Sequence, residues 1–172
     1  MIDCNIKICV GCRMCEVICS LFHAGGVSPA LSRIRVVKLE EIGLDMAVAC
    51  LSCAEKSCLD CPNEALSIGA QSAIVLDDRL CDACHVCVDA CPIGAVGFHE
   101  GRPLICDLCG GAVRCVEVCP TRALSYRDEY RGISLSPFRQ SQGNPGMRRA
   151  CYVQVRGEPL RESWKRGARV DS

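Results

Sequence analysis

Eighteen of the 172 residues are cysteine, and sixteen of these fall into four groups of four. The first group is CVGCRMCEVIC, with Cys9, Cys12, Cys15 and Cys19; the third is CDACHVCVDACP, with Cys81, Cys84, Cys87 and Cys91. Both follow the spacing C-x2-C-x2-C-x3-C. Three cysteines at intervals of three wrap a tight loop around one corner of a cubane iron–sulfur cluster. Each thiolate takes a separate iron, and the loop's backbone N–H groups point at cluster sulfurs. The fourth cysteine, on the helical turn that follows, points away and reaches a second cluster. The remaining groups are widened. CLSCAEKSCLDCP supplies Cys50, Cys53, Cys58 and Cys61, with four residues in its second gap; CDLCGGAVRCVEVCP supplies Cys106, Cys109, Cys115 and Cys119, with five. Cys58 and Cys61 are separated by two residues where the other groups have three, so Cys61 is the least regular candidate ligand.

Two other chemistries compete for clustered cysteines. Zinc takes its ligands as two separated pairs, which three cysteines in one seven-residue loop suit poorly. Disulfides belong to oxidising compartments. The opening MIDCNIKICVGC has no basic, apolar or small-residue part of a signal peptide, so the expected location is the cytoplasm. No run of eighteen apolar residues is present to span a membrane. The expected cofactors are therefore four [4Fe–4S] clusters. Composition agrees: the hydrophobic 49% counts cysteine, and three Phe and one Trp leave an ordinary core short of bulk. Clusters would fill that interior and make folding and metal assembly one event. The formal net charge of zero hides an asymmetry. Residues 1–125 hold ten Lys and Arg against fifteen Asp and Glu, while 126–172 hold ten against five. Four clusters with their thiolates would add about −8 to the acidic part.

An internal repeat organises the chain to about residue 125. Three copies end alike, in CPNEALSI from Cys61, CPIGAVGF from Cys91 and CPTRALSY from Cys119. Proline suits the first position of a helix, so each copy reads as loop, short helix, then short strand. Alternating runs at Ile34–Leu39, Ala73–Leu76 and Val96–His99 predict further strands, and Glu100 to Pro103 a turn. Residues 20–49, the longest insert, predict an added hairpin. The fold class expected is α+β. From Tyr126 the chain turns to Ser, Gln, Gly, Pro and Arg without periodicity, which predicts an extended basic tail over 126–172. A segment unable to build its own core needs a surface, either its own domain or a neighbouring chain.

These motifs resemble the sixteen-cysteine, ferredoxin-like subunits of molybdenum, tungsten and nickel oxidoreductases, the DMSO reductase B-subunit type, over residues 1–125. Within that group the chain most resembles the small iron–sulfur subunit of bacterial tungsten aldehyde oxidoreductases. The resembling stretches are CVGCRMCEVICSLFH, SPALSRIRVV at Ser28–Val37, and CDLCGG and CVEVCPTRAL within Cys106–Leu124. The departures are the short gap before Cys61 and the basic tail. The resemblance implies two ferredoxin-like modules side by side, pairing the first motif with the fourth and the second with the third. One cluster would take Cys9, Cys12, Cys15 and Cys119, and its neighbour Cys106, Cys109, Cys115 and Cys19. A third would take Cys50, Cys53, Cys58 and Cys91, and the last Cys81, Cys84, Cys87 and Cys61. Pairing sequential motifs is the alternative.

The resemblance also implies a non-catalytic electron-transfer subunit. It would join a catalytic tungsten- or molybdenum-pterin subunit oxidising an aldehyde to a flavin-containing, NAD-linked subunit. The alternatives are a free soluble polyferredoxin, or the equivalent subunit of a formate dehydrogenase, a hydrogenase or another molybdenum enzyme. Copies joined head to tail through the tail would form a filament. No phosphate loop, nucleophile with base, or carboxylate pair appears, and the acidic core disfavours nucleic acid. Outside the groups, Cys4 and Cys151 read as small apolar residues rather than ligands. His85, inside the third loop, reads as a surface or cluster-supporting residue, while His23 and His99 give no pattern.

Overall fold

The computed structural model describes residues 1–130, 132–138 and 143–167. Loops carrying cysteines leave room only for short strands between them. Among the described residues, eight strands pair as four separate antiparallel ribbons. β1 (Ile2–Cys4) pairs with β8 (Leu124–Tyr126), with Cys4 opposite Leu124. This ribbon ties the chain's first residues to the end of the fourth motif. The Asn5 N–H donates to the Ala123 carbonyl at 2.8 Å, and Arg127 pairs with Asp3 at 2.9 Å. Helix α1 (Met14–Ala24), from the first motif, packs on α3 (Arg114–Glu117), from the fourth.

The other two motifs are arranged alike. The 3₁₀ turn Ser57–Leu59 of the second packs on α2 (Val86–Ala90) of the third. β4 (Leu66–Ile68) pairs with β5 (Ile74–Leu76), and β6 (Gly97–His99) with β7 (Arg102–Leu104), around the turn expected at Glu100. The insert does form a hairpin: β2 (Arg35–Leu39) pairs with β3 (Leu44–Val48) over five residues, the longest ribbon among the described residues. Buried Glu16 fastens this hairpin to α1 by accepting the Val36 N–H at 2.7 Å.

Two expectations need correction. No helix follows the Cys-Pro pairs. The helical turn comes before the fourth cysteine, and Pro62, Pro92 and Pro120 open tight turns instead. The N–H of Glu64, Gly94 and Arg122 returns to the carbonyl of Cys61, Cys91 and Cys119, and all three take positive φ. The reversal sets the next two residues, Ala65-Leu66, Ala95-Val96 and Ala123-Leu124, into the core. A helix there would carry them past it.

The tail is not extended over its described length. Residues Pro145–Gly167 form helix α4, which packs on β2 and β3 of its own chain. Asn144 caps it, accepting the Met147 N–H at 3.0 Å, and Pro145 takes the first position. Tyr152 and Val153 are completely buried, and the Tyr152 ring meets Phe138 edge-on with centroids 5.7 Å apart. At Gly157 a Cβ would run into Leu44, so glycine lets the helix lie close on β3. Composition concealed this helix because its inward stripe, Arg148, Tyr152, Val153 and Gly157, is mostly not aliphatic.

Candidate metal centres

The four loops share one backbone device. The residue two places after the first cysteine has positive φ in every motif: Gly11 (59°), Ser52 (44°), Ala83 (61°) and Leu108 (58°). So does the residue two places before the third cysteine: Arg13 (63°), Lys56 (38°), His85 (67°) and Val113 (42°). Such a conformation costs about 1–2 kcal/mol at a non-glycine residue, so its recurrence at matched positions is not accidental. Alternating right- and left-handed residues turn successive N–H groups into one concavity that favours an anion. The N–H groups of Gly11, Ser52 and Leu108 each hydrogen-bond the first cysteine of their loop, Cys9, Cys50 and Cys106, and favour its thiolate; at Cys50 and Cys106 burial outweighs them and pushes the thiol up.

Each three-cysteine loop meets a fourth cysteine from a different motif. Cys9, Cys12, Cys15 and Cys119 line one small cavity; Cys61, Cys81, Cys84 and Cys87 line another. Cys19 lies within electrostatic reach of Cys106, Cys109 and Cys115, and Cys91 of Cys50 and Cys58, which also sense Cys53. The sets also touch. Cys15 senses Cys115, and Cys106 senses Cys50, linking the first cavity to the second set and the second to the third. The short gap at Cys61 is absorbed locally. Cys58 sits in a 3₁₀ turn, whereas Cys15, Cys87 and Cys115 sit in α-helices, and the tighter turn needs one residue fewer to redirect the chain.

Burial, with other thiols nearby, governs the proton affinity of these groups. It pushes Cys15, Cys58 and Cys115 up to about 12, and Cys50 and Cys87 up to about 11. Several thiolates facing one small space repel each other and lack water, so they need positive charge among them. Metal binds the thiolate and displaces the proton. Among the described residues all eighteen cysteines are free of disulfide bonds.

Supporting contacts include several that the sequence did not announce. His23 Nε2 lies 3.7 Å from Cys109 Sγ and 3.4 Å from Asp107 Oδ1, while Arg33 holds the other Asp107 oxygen at 2.7 Å. Burial lowers the His23 pKa, Arg33 lowers it further, and Asp107 opposes both. The Arg33 N–H points at Cys19 Sγ at 3.2 Å, a contact that α1, continuing past Cys19, leaves to the insert. The Ala95 N–H does the same for Cys91 at 3.2 Å. His85 stacks on Phe98 with centroids 3.7 Å apart, beside the cavity of Cys81, Cys84 and Cys87. Cys4 is buried as expected, but not as filler alone: its thiol hydrogen-bonds Cys9, holding the Cys9 thiol below and its own above the ordinary range. Cys151 is exposed on α4, so the small apolar role expected for it is not the one it has.

No family model matches the chain. Over 107 residues it is 42% identical to the polyferredoxin-like subunit of an aliphatic sulfonate oxidoreductase from Pyrococcus furiosus, covering 60% of this chain and 61% of that one. Over 113 residues it is 38% identical to the putative electron transport protein YsaA of Escherichia coli, covering 59% of this chain and 70% of that protein. The chain belongs to this family of electron-transport proteins. Formate hydrogenlyase subunit 2 of Escherichia coli is 34% identical over 98 residues, covering 56% of this chain and 47% of that subunit. Cysteine-rich loops and polyferredoxin-like relatives together support an iron–sulfur, electron-transferring character. Among the described residues no helix is long and apolar enough to cross a membrane.

Proposed function

We propose that the chain holds four [4Fe–4S] clusters and serves as the electron-transfer subunit of a cytoplasmic oxidoreductase complex. The ligand sets would be Cys9, Cys12, Cys15 with Cys119; Cys106, Cys109, Cys115 with Cys19; Cys50, Cys53, Cys58 with Cys91; and Cys81, Cys84, Cys87 with Cys61. The observation that carries this reading is the meeting of each three-cysteine loop with a fourth cysteine from another motif. It favours nested over sequential pairing and two modules within residues 1–125. When bound, such clusters supply one-electron steps over a range of roughly −700 to +450 mV. The chain's own residues would bind thiolate-linked iron and aim N–H groups at sulfur, with Cys15, Cys19, Cys87, Cys91 and Cys115 buried and Cys12 and Cys84 exposed.

The partners proposed are a catalytic tungsten- or molybdenum-pterin subunit, with aldehyde as its substrate class, and a flavin-containing, NAD-linked subunit. Support comes from the resemblance of the first and fourth motifs and from relatives named as subunits of oxidoreductase and hydrogenlyase complexes. A chain anaerobically purified should carry about sixteen irons and equal acid-labile sulfide, four per cluster; a colourless preparation free of both would falsify the reading. Native size then separates the subunit from a free polyferredoxin, which would run as a lone 18.6 kDa species. Head-to-tail self-assembly through the tail is a further part of the proposal, although α4 packs on its own chain. Deleting residues 127–172 should reduce any filament to single copies, and unchanged assembly would end it.

A further inference from the structure

Helix α4 brings two arginines to the backbone around Cys91. Arg148 is buried and donates through Nη1 to the Asp89 carbonyl at 2.6 Å and through Nη2 to the Val88 carbonyl at 2.8 Å. Arg149 donates through Nη1 to the Gly94 carbonyl at 2.5 Å. The Gly94 carbonyl belongs to the same peptide group as the Ala95 N–H, and that N–H points at Cys91 Sγ at 3.2 Å. A guanidinium, one peptide group and a cysteine sulfur thus form a line of two hydrogen bonds. The approach depends on Gly94: its φ is 64°, and a Cβ there would collide with the Pro145 carbonyl at the start of α4. The equivalent turns at Glu64 and Arg122 share the reversal.

We propose that Arg149 is a positioning residue that raises the reduction potential of the cluster ligated by Cys91, acting through the Gly94–Ala95 peptide. This rests on the reading that Cys91 binds iron. A cation on a carbonyl oxygen draws electron density along the amide and makes its N–H a stronger donor, as hydrogen bonds in series polarise one another in a medium of low dielectric. Arginine keeps its charge even when half-buried. Reduction places one more negative charge on a cluster and its sulfurs, so a strengthened N–H donor favours the reduced form. Hydrogen bonds to sulfur are among the established determinants of such potentials. The tail helix therefore does more than cover β2 and β3: it makes one cluster easier to reduce than its backbone turn alone would.

The test is an EPR-monitored redox titration of the full chain, purified without oxygen. Arg149→Gln should retain its iron and move one midpoint negative by an amount near a tenfold change in the reduction equilibrium, ~59 mV for a one-electron couple. Arg149→Lys, which keeps a point charge but loses the planar fork, should move the same midpoint less. Arg148→Gln disturbs the docking of the same helix without touching the Gly94–Ala95 peptide, and should move it less than Arg149→Gln. Equal shifts for Arg148→Gln and Arg149→Gln, or unchanged midpoints in an iron-replete Arg149→Gln protein, overturn the relay. Should Arg149→Gln lose iron, an Arg149→Lys protein with iron intact and midpoints unmoved overturns it equally. Iron absent from the unsubstituted chain would instead defeat the ligand assignment, so the two failures are distinguishable.

Discussion

The cysteine loops and helix α4 lie against each other but are held by different physics. In the loops, one pattern of dihedral angles occurs four times, and non-glycine residues such as Leu108 and Val113 accept left-handed conformations to keep it. That backbone is unfavourable by itself and makes sense only around a group that the N–H donors and thiolates can serve together. In α4 no described residue takes a positive φ, and its one backbone fault is Pro159 inside the helix. A capped helix lays one tyrosine, one valine and two arginines on the hairpin, on α2 and on the turn at Gly94, as in any packed protein. The difference teaches that the loops should respond to metal and proton, whereas α4 should respond to volume.

The largest effect expected is on the loops. Removing iron with a chelator under reducing conditions should unfold residues 1–126 cooperatively, because structural metal binding is folding free energy for such sites. Far-UV circular dichroism and limited proteolysis would show it; a chain that keeps its native spectrum without iron breaks the distinction. Single replacements sharpen it: Cys115→Ala should remove about four of sixteen irons, while Cys151→Ser, exposed on α4, should remove none.

Proton dependence comes next. Because burial raises Cys15, Cys50, Cys58, Cys87 and Cys115 to about 11 or 12, the proton holds each sulfur throughout the neutral range. Metal must displace it, so iron affinity rises with pH, by up to about tenfold per unit for each proton released. The opposite dependence applies to any metal-free fold: thiol pKa values raised above the unfolded value make it lose stability as pH climbs from about 9 through the values near 12. Chelator competition at pH 7 and 8.5 measures the first effect, and equal affinity at the two would contradict these thiols being the ligands.

Smaller effects belong to α4. Tyr152→Ala should destabilise its docking by about 3–5 kcal/mol, as for other buried aromatics, without loss of iron. Gly157→Leu, forcing a side chain against Leu44, should cost about 1–3 kcal/mol. Asn144→Ala, which removes the cap, should cost about 1 kcal/mol. Denaturant midpoints and protease sensitivity near residue 144 read all three; iron loss in any of them would show that the two regions are not separable.

Several parts of this arrangement were visible in the residues themselves. Val36 and Val37 alternate as a half-buried strand must, the Glu100-Gly101 turn joins β6 to β7, and the repeat ending in Cys-Pro located β4, β6 and β8. The order of helix and turn around those prolines was misread, because Pro at a helix start and Pro in a tight turn have the same φ. Helix α4 was read as part of an extended tail, because the stripe behind its start holds arginine and glycine where a hydrophobic pattern looks for leucine. His23 and Cys4 could not be placed either. His23 meets Cys109 across 86 residues of chain, and Cys4 meets Cys9 through a local turn that spacing alone does not specify.

The spacing of the cysteines determined that three thiols of each group would share one loop, since runs of seven to ten residues cannot hold them far apart. Which fourth thiol joins each loop was decided only by the ribbons and helix contacts that bring distant motifs together, β1 on β8 and the Ser57 turn on α2. Helix α4 and its arginines were likewise settled by packing, because a helix finds its place from the surface it covers, and that surface is built from the rest of the chain.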